Sequence, residues 1–244
     1  MTEQPPAPPR SAIGIKLFGK TVLLQGKAAG AFVLIVVGIA VASIAYVAST
    51  KPGSLKSALM SPLWISAFLW IAMMVYWSAA AKRSAPVKTA EPAASRARHQ
   101  LLLNVALLFA FVRFPFLGAR WLPVSSLWVP IGLAIQAGSM MLDVWAMRCL
   151  GRNWSGAVAI KVDHELVTAG PYRRVRHPIY TAMIGMYLGT AIVSGELHGL
   201  VAVILCAIAY WRKTRMEEQG LKEAFGRAYD DYARVSYALI PWVF

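Results

Sequence analysis

Two cysteines in 244 residues, Cys149 and Cys206, with no CxxC pair and no histidines at ligand spacing, exclude a disulfide framework and give no zinc site; no metal is expected. Acidic residues are also scarce, 11 Asp and Glu against 25 Lys and Arg, for a formal charge of +14. In a soluble domain that imbalance would point to nucleic acid. Here the basic residues fall between long apolar runs, so topology explains them and no nucleic-acid partner is expected. No strand leads into a GxGxxG turn, which removes a Rossmann fold. No internal or inverted repeat is present, which argues against a secondary transporter.

What is abundant is apolar surface. Hydrophobic residues make up 58% of the chain and there are nine Trp, above the usual soluble composition. Residues 1–27 open on QPPAPPR and continue through Ile13, Ile15, Leu17 and Phe18 between lysines, a pattern expected to give a disordered tail and then an interfacial helix. Runs at 28–48, 59–81, 101–118, 127–147, 179–194 and 200–211 are expected spans, and 82–99 a loop or short linker. Arg113 and Pro115 sit inside the third run; the Arg is expected to snorkel to an interface, the alternative being a polar cavity. In the fourth run Gly132, Gly138 and Ser139 suit close helix packing, and Asp143 is either a pocket acid or a partner of Arg148. Beyond Arg212 apolar residues recur at helical spacing with charges opposite, as in an amphipathic surface helix.

The expected fold class is therefore all-α, a polytopic membrane bundle of about six transmembrane helices with a cytoplasmic C-terminal amphipathic helix. It divides into a tail (1–27), N-terminal spans (28–118) and a core (119–244). With six spans, 21 of the 25 Lys and Arg share one side, against Lys51, Lys56 and Arg120 on the other. Both termini are therefore expected in the cytoplasm, and the expected location is a bacterial inner membrane.

Between the fourth and fifth runs lies HELVTAGPYRRVRHPIY, residues 164–180, with two His, three Arg, two Tyr, a Gly-Pro turn and a His-Pro break. Pro178 removes a donor and Gly170-Pro171 forces a turn, so backbone groups here are expected to be unpaired and available to a polar ligand. The plainer reading is a basic loop with Pro near the start of the next helix. Combined with Glu217 and Glu218, the stretch would suit a zwitterionic, aromatic ligand.

The spacing H-x-L-V-x-x-G-P-Y from His164 to Tyr172, R-H-P-x-Y from Arg176 to Tyr180, E-E-x-x-L-x-x-x-F-G-x-x-Y-x-x-Y from Glu217 to Tyr232, and Ile240-Pro241 resembles the isoprenylcysteine carboxyl methyltransferase family, whose wider group includes phospholipid methyltransferases. The resemblance covers about residues 125–244 and implies S-adenosylmethionine as cofactor at the cytoplasmic face. Carried over by position, it implies a cofactor wall of His164, Leu166, Val167, Gly170, Tyr172, Arg176, His177, Pro178 and Tyr180, with Glu217 or Glu218 receiving the methionyl ammonium. Tyr229, Tyr232 and Phe225 are read as packing residues. The resemblance implies an Arg one turn before the Glu pair to orient the acceptor carboxylate; this chain has Lys213 there, with Arg212 and Arg215 nearby, and Lys213 and Arg215 are the candidate catalytic residues.

The implied activity is methyl transfer to a lipophilic or prenylated acceptor within the membrane lipid, as isoprenylcysteine-type O-methylation. The alternatives are N-methylation of a phospholipid headgroup and a non-catalytic membrane scaffold. An ionised carboxylate needs no general base for in-line displacement. An amine does, and His177, Asp143 or a Glu would have to serve.

Overall fold

The computed structural model describes residues 12–17, 20–25, 62–156, 158–161 and 164–241. The expected first span at 28–48 lies outside them. Ala12–Leu17 (β1) and Lys20–Gln25 (β2) pair as an antiparallel hairpin, not as an interfacial helix. Ile13, Ile15 and Leu17 recur every second residue, which is the period of a strand.

Six helices follow: α1 (Pro62–Ala81), α2 (Ala93–Phe111), α3 (Trp128–Leu150), α4 (Pro178–Ser194), α5 (Leu197–Phe225) and α6 (Arg227–Arg234). Among the described residues α1, α3 and α5 are long and apolar enough to cross a membrane, and α4 is a shorter apolar helix. The chain is mostly helical and reads as an integral membrane protein, with two small two-stranded sheets that an all-α class omits.

The third expected span is displaced. α2 begins at Ala93 and ends at Phe111, because Pro115 cannot donate and Phe114 before it is extended, at φ −100° and ψ 128°. Most of the supposed 82–99 linker is therefore structured: Val87–Ala90 (β3) pairs antiparallel with Ala159–Lys161 (β4), and the rest opens α2. Val87 and Thr89 are β-branched and lie between Pro86 and Pro92, which keep a helix from extending back. The expected break at Arg212 is also absent. The last apolar run continues as α5 for 29 residues, about 44 Å at 1.5 Å per residue, so its charged half projects beyond a hydrocarbon core of about 30 Å. The chain turns only at Gly226, which has φ +53° and starts α6.

Helices α3 and α4 touch through their backbones. A Cβ on Gly189 would lie 2.6 Å from the Gly132 carbonyl oxygen, and one on Gly132 would lie 2.7 Å from that of Gly189. Small residues permit this approach in lipid, whereas Gly138, read as part of the same surface, has no neighbour within 4 Å. Gly189→Ala must push two backbones apart and is expected to cost about 1–3 kcal/mol, read as a lower melting temperature in detergent. Gly138→Ala should leave it unchanged.

Beside this contact Ser66, Gln136 and Thr190 form a buried polar group. Ser66 Oγ donates to Gln136 Oε1 at 2.5 Å, and Trp70 Nε1 to Thr190 Oγ1 at 3.1 Å. At the opposite end from the charged half of α5, Arg113 does not simply snorkel. Its Nε pairs with Glu196 at 2.9 Å in the α4–α5 turn, tying that turn to the end of α2.

Candidate functional site

Gly170 adopts φ +62°, and any side chain there would meet Cys149 Sγ at 2.5 Å and Trp145 Nε1 at 3.3 Å on α3. The turn through Gly170–Arg173 is thus pressed onto α3, and it buries Tyr172. His177 follows at φ −124° and ψ 59°, outside the helical region, with Pro178 as the first residue of α4.

The backbone here is not free, contrary to the sequence expectation. Arg176 N donates to Tyr237 O at 2.8 Å, His177 N to Ala238 O at 3.1 Å, and Tyr237 N to Arg174 O at 2.9 Å. Thr181 Oγ1 reaches Leu239 O at 2.6 Å. Residues 237–239 therefore lie along the Arg-His-Pro segment like a short strand and satisfy the donors that no helix could pair.

Side chains from two distant segments meet on this support. The His177 ring sits between the two glutamates, Nδ1 at 3.4 Å from Glu217 Oε2 and Nε2 at 3.4 Å from Glu218 Oε1. Arg176 Nε donates to Glu218 Oε1 at 2.8 Å, and its Nη1 donates to the carbonyls of Ala233 and Ser236. Tyr180 hydroxyl donates to Glu217 Oε2 at 2.5 Å, and its ring stacks on those of His177 and Tyr210, with centroids 5.3 and 4.8 Å away. Lys213, only 6% exposed, donates from Nζ to Gly156 O at 2.9 Å and lies 5.3 Å above the Tyr180 ring.

Burial alone would raise the Glu218 pKa, but the hydrogen bonds of His177 and Arg176 hold it down at about 2. Burial alone would lower His177, and the hydrogen bonds and charges of Glu217 and Glu218 reverse that, leaving it above the ordinary 6.5. A histidine raised in the folded state contributes stability that is complete below its unfolded pKa and lost as pH rises through the folded one. The melting temperature of cofactor-free protein should accordingly fall as pH rises above about 6.5. His177→Gln should flatten that part of the profile, and a wild-type curve no steeper than the variant's would mean an uncharged ring.

These residues border a cavity open to solvent, whose empty space together with that open solvent is ≈ 830 Å³. His164, Leu166, Val167, Tyr172, Arg176, His177, Tyr180, Lys213 and Glu217 line it, together with Trp77, Trp154, Gly156, Leu221, Tyr229 and Tyr232. Gly170 and Pro178 shape the wall without lining it. Glu218 lies behind it, holding Arg176 and His177. Arg215 is elsewhere: it is exposed on the outer side of α5, with its guanidinium 5.1 Å from the centre of the Trp211 ring. Asp143 does not pair with Arg148; it accepts from Trp77 Nε1 at 2.7 Å.

Residues 127–228 match the family model described as phospholipid methyltransferase. Over 139 residues the chain is 30% identical to protein-S-isoprenylcysteine O-methyltransferase B of Arabidopsis thaliana, covering 54% of this chain and 66% of that protein. Over 156 residues it is 29% identical to protein-S-isoprenylcysteine O-methyltransferase of Dictyostelium discoideum, covering 59% and 63%. Over its C-terminal part the chain is thus similar both to phospholipid methyltransferases and to isoprenylcysteine O-methyltransferases. The matches span slightly under two thirds of the length of these two methyltransferases. A solved structure, that of the eukaryotic intramembrane Ras methyltransferase isoprenylcysteine carboxyl methyltransferase, superposes over 90% of this chain and 99% of its own, with 15% identity and a TM-score of 0.46.

The phospholipid methyltransferase match begins just before α3, so α1, β3 and α2 lie outside it, yet Trp77 of α1 lines the cavity. Trp77 carried only one sequence signal, its place near the end of an apolar run. Tyr229 and Tyr232, expected to pack, both line the cavity as well, and Tyr232 hydroxyl donates to Tyr172 O at 2.6 Å.

Proposed function

We propose that this protein transfers the methyl group of S-adenosylmethionine to the carboxylate of a lipophilic, S-prenylated acceptor at the cytoplasmic face of a membrane. The observation that carries the reading is Lys213, a buried ammonium on the cavity wall with one backbone acceptor and two N–H groups that have no partner among the described residues. The names of the curated relatives support it.

The cofactor fits what is present. Glu217 Oε1 has no hydrogen-bond partner among the described residues and can accept from an ammonium, while the Tyr172, His177 and Tyr180 rings offer aromatic faces. When bound, the cofactor supplies a methyl group on a positively charged sulfur. Glu217 holds the cationic portion, Glu218 keeps His177 and Arg176 in place, and Lys213 orients the acceptor carboxylate for in-line approach. An ionised carboxylate gives up no proton, so no side chain need act as a base. The buried tyrosines and α5 keep water from the reacting groups. The long, apolar α1, α3 and α5 would let an acceptor's hydrocarbon chain approach the cavity from the membrane, with the charged half of α5 toward the cytoplasm.

Two measurements test this on detergent-purified protein. Titration with S-adenosylhomocysteine should give one site, and a radiolabelled methyl donor should label N-acetyl-S-farnesylcysteine but not phosphatidylethanolamine. Label on the phospholipid alone would shift the reading to N-methylation. A folded protein that binds no S-adenosylhomocysteine would be a scaffold.

A further inference from the structure

One wall of the cavity is supplied by α1, outside residues 127–228. Trp77 lies four residues before the end of that helix, and its indole Nε1 donates to Asp143 Oδ2 of α3 at 2.7 Å. Its ring meets that of Trp154 edge-on, with centroids 5.7 Å apart and planes at 70°. Asp143 is fully buried, seven residues inside α3 from Leu150, which is about 10 Å along the helix. Its Oδ1 has no hydrogen-bond partner among the described residues.

A carboxylate at that depth is expensive, and intramembrane acids are kept where they do something. The group that Asp143 holds is Trp77, through the one polar atom of an otherwise apolar side chain. That hydrogen bond fixes the ring against Trp154 and leaves its remaining surface to the cavity. The depth separates the two ligands. The charged groups that suit a water-soluble nucleoside are on the far half of α5 and in the Arg176–Tyr180 segment, whereas Trp77 and Asp143 belong to the apolar lengths of α1 and α3.

We infer that Trp77, positioned by Asp143, is the surface against which the isoprenoid chain of the acceptor lies, making the N-terminal part of the chain a determinant of acceptor specificity. This rests on the carboxylate-methylating reading above. Asp143 is a positioning residue that acts through the indole.

Titration calorimetry of the purified full-length protein tests it with two probes, S-adenosylhomocysteine and N-acetyl-S-farnesylcysteine. Trp77→Ala should weaken the farnesyl compound at least tenfold and leave S-adenosylhomocysteine within twofold. Trp77→Phe, which keeps a ring but no N–H, should fall between, and it remains informative if the alanine variant does not fold. Asp143→Ala should follow Trp77→Phe, and Asp143→Asn, whose carbonyl can still accept the indole N–H, should restore wild-type binding. N-acetyl-S-dimethylallylcysteine, with a chain too short to reach the wall, should be indifferent to all four. Farnesyl binding unchanged in Trp77→Phe and in a folded Trp77→Ala would overturn the inference. So would an equal loss of both probes, which would assign the wall to the nucleoside. Failure of the underlying reading looks different, because wild-type protein itself would then bind S-adenosylhomocysteine but no farnesyl compound.

Discussion

Glu217→Gln is expected to raise the dissociation constant of S-adenosylmethionine roughly 10- to 150-fold, the equivalent of one charge-assisted hydrogen bond of about 1.5–3 kcal/mol. Glu217 lines the cavity, and its side chain is 32% exposed there. The neighbouring Glu218→Gln should behave differently. Glu218 does not face the cavity, and its partners are Arg176 Nε at 2.8 Å and His177 Nε2 at 3.4 Å. Its loss leaves two cations short of a counter-charge, so the expected result is a lower melting temperature with a smaller change in cofactor affinity. Calorimetry and thermal melts on both variants separate the roles. Identical binding losses would contradict the geometry, in which Glu217 and not Glu218 faces the cavity.

The second large effect concerns Lys213. Lys213→Met keeps the length and apolar stem but removes a buried ammonium, and should lower kcat/KM for a carboxylate acceptor by about 10- to 150-fold. Most of the loss belongs in KM. Charge on the carboxylate and on the donor is neutralised as the methyl group moves, so a cation beside the carboxylate favours the bound ground state at least as much as the transition state. Cofactor affinity should change little. An amine acceptor predicts the opposite sign, since a fixed ammonium repels the protonated form of the substrate and its removal should help. Kinetics of this one variant therefore distinguish O- from N-methylation. Lys213→Arg, which keeps a cation at this position, should recover much of the loss.

The candidate site was legible wherever the chain brings it together through short motifs. His164 to Tyr180 and Glu217 to Glu218 were picked out by residue type together with the family resemblance of their spacing, and the structure places His177 between the two glutamates. Which carboxylate faces the cavity was not legible, because adjacent helical residues point about 100° apart and only the packing of α5 sets the direction. Lys213 and Arg215 show the same limit: two residues apart on one helix, one is buried beside Tyr180 and the other is exposed. Helix register failed where hydropathy was read without its punctuation. Arg113 and Pro115 ended α2 early, and Pro86 and Pro92 framed a strand inside what seemed a linker. Trp77 and the segment at 237–239 were missed because their roles depend on partners 66 residues away for Trp77 and about 60 away for the tail, and no local period records such pairings.

The pairing of residues 237–239 with Arg174, Arg176, His177 and Thr181 also has a consequence for biosynthesis. A ribosome delivers the His-Pro segment first, then the α4–α5 hairpin, and only afterwards the stretch that satisfies the His177 amide. Membrane insertion of the spans can thus run ahead of the chemistry, and a nascent chain holding every long helix would still lack a finished pocket. The backbone pairing at the candidate site is completed in one late step, when the segment after α6 folds back onto a surface translated some sixty residues earlier.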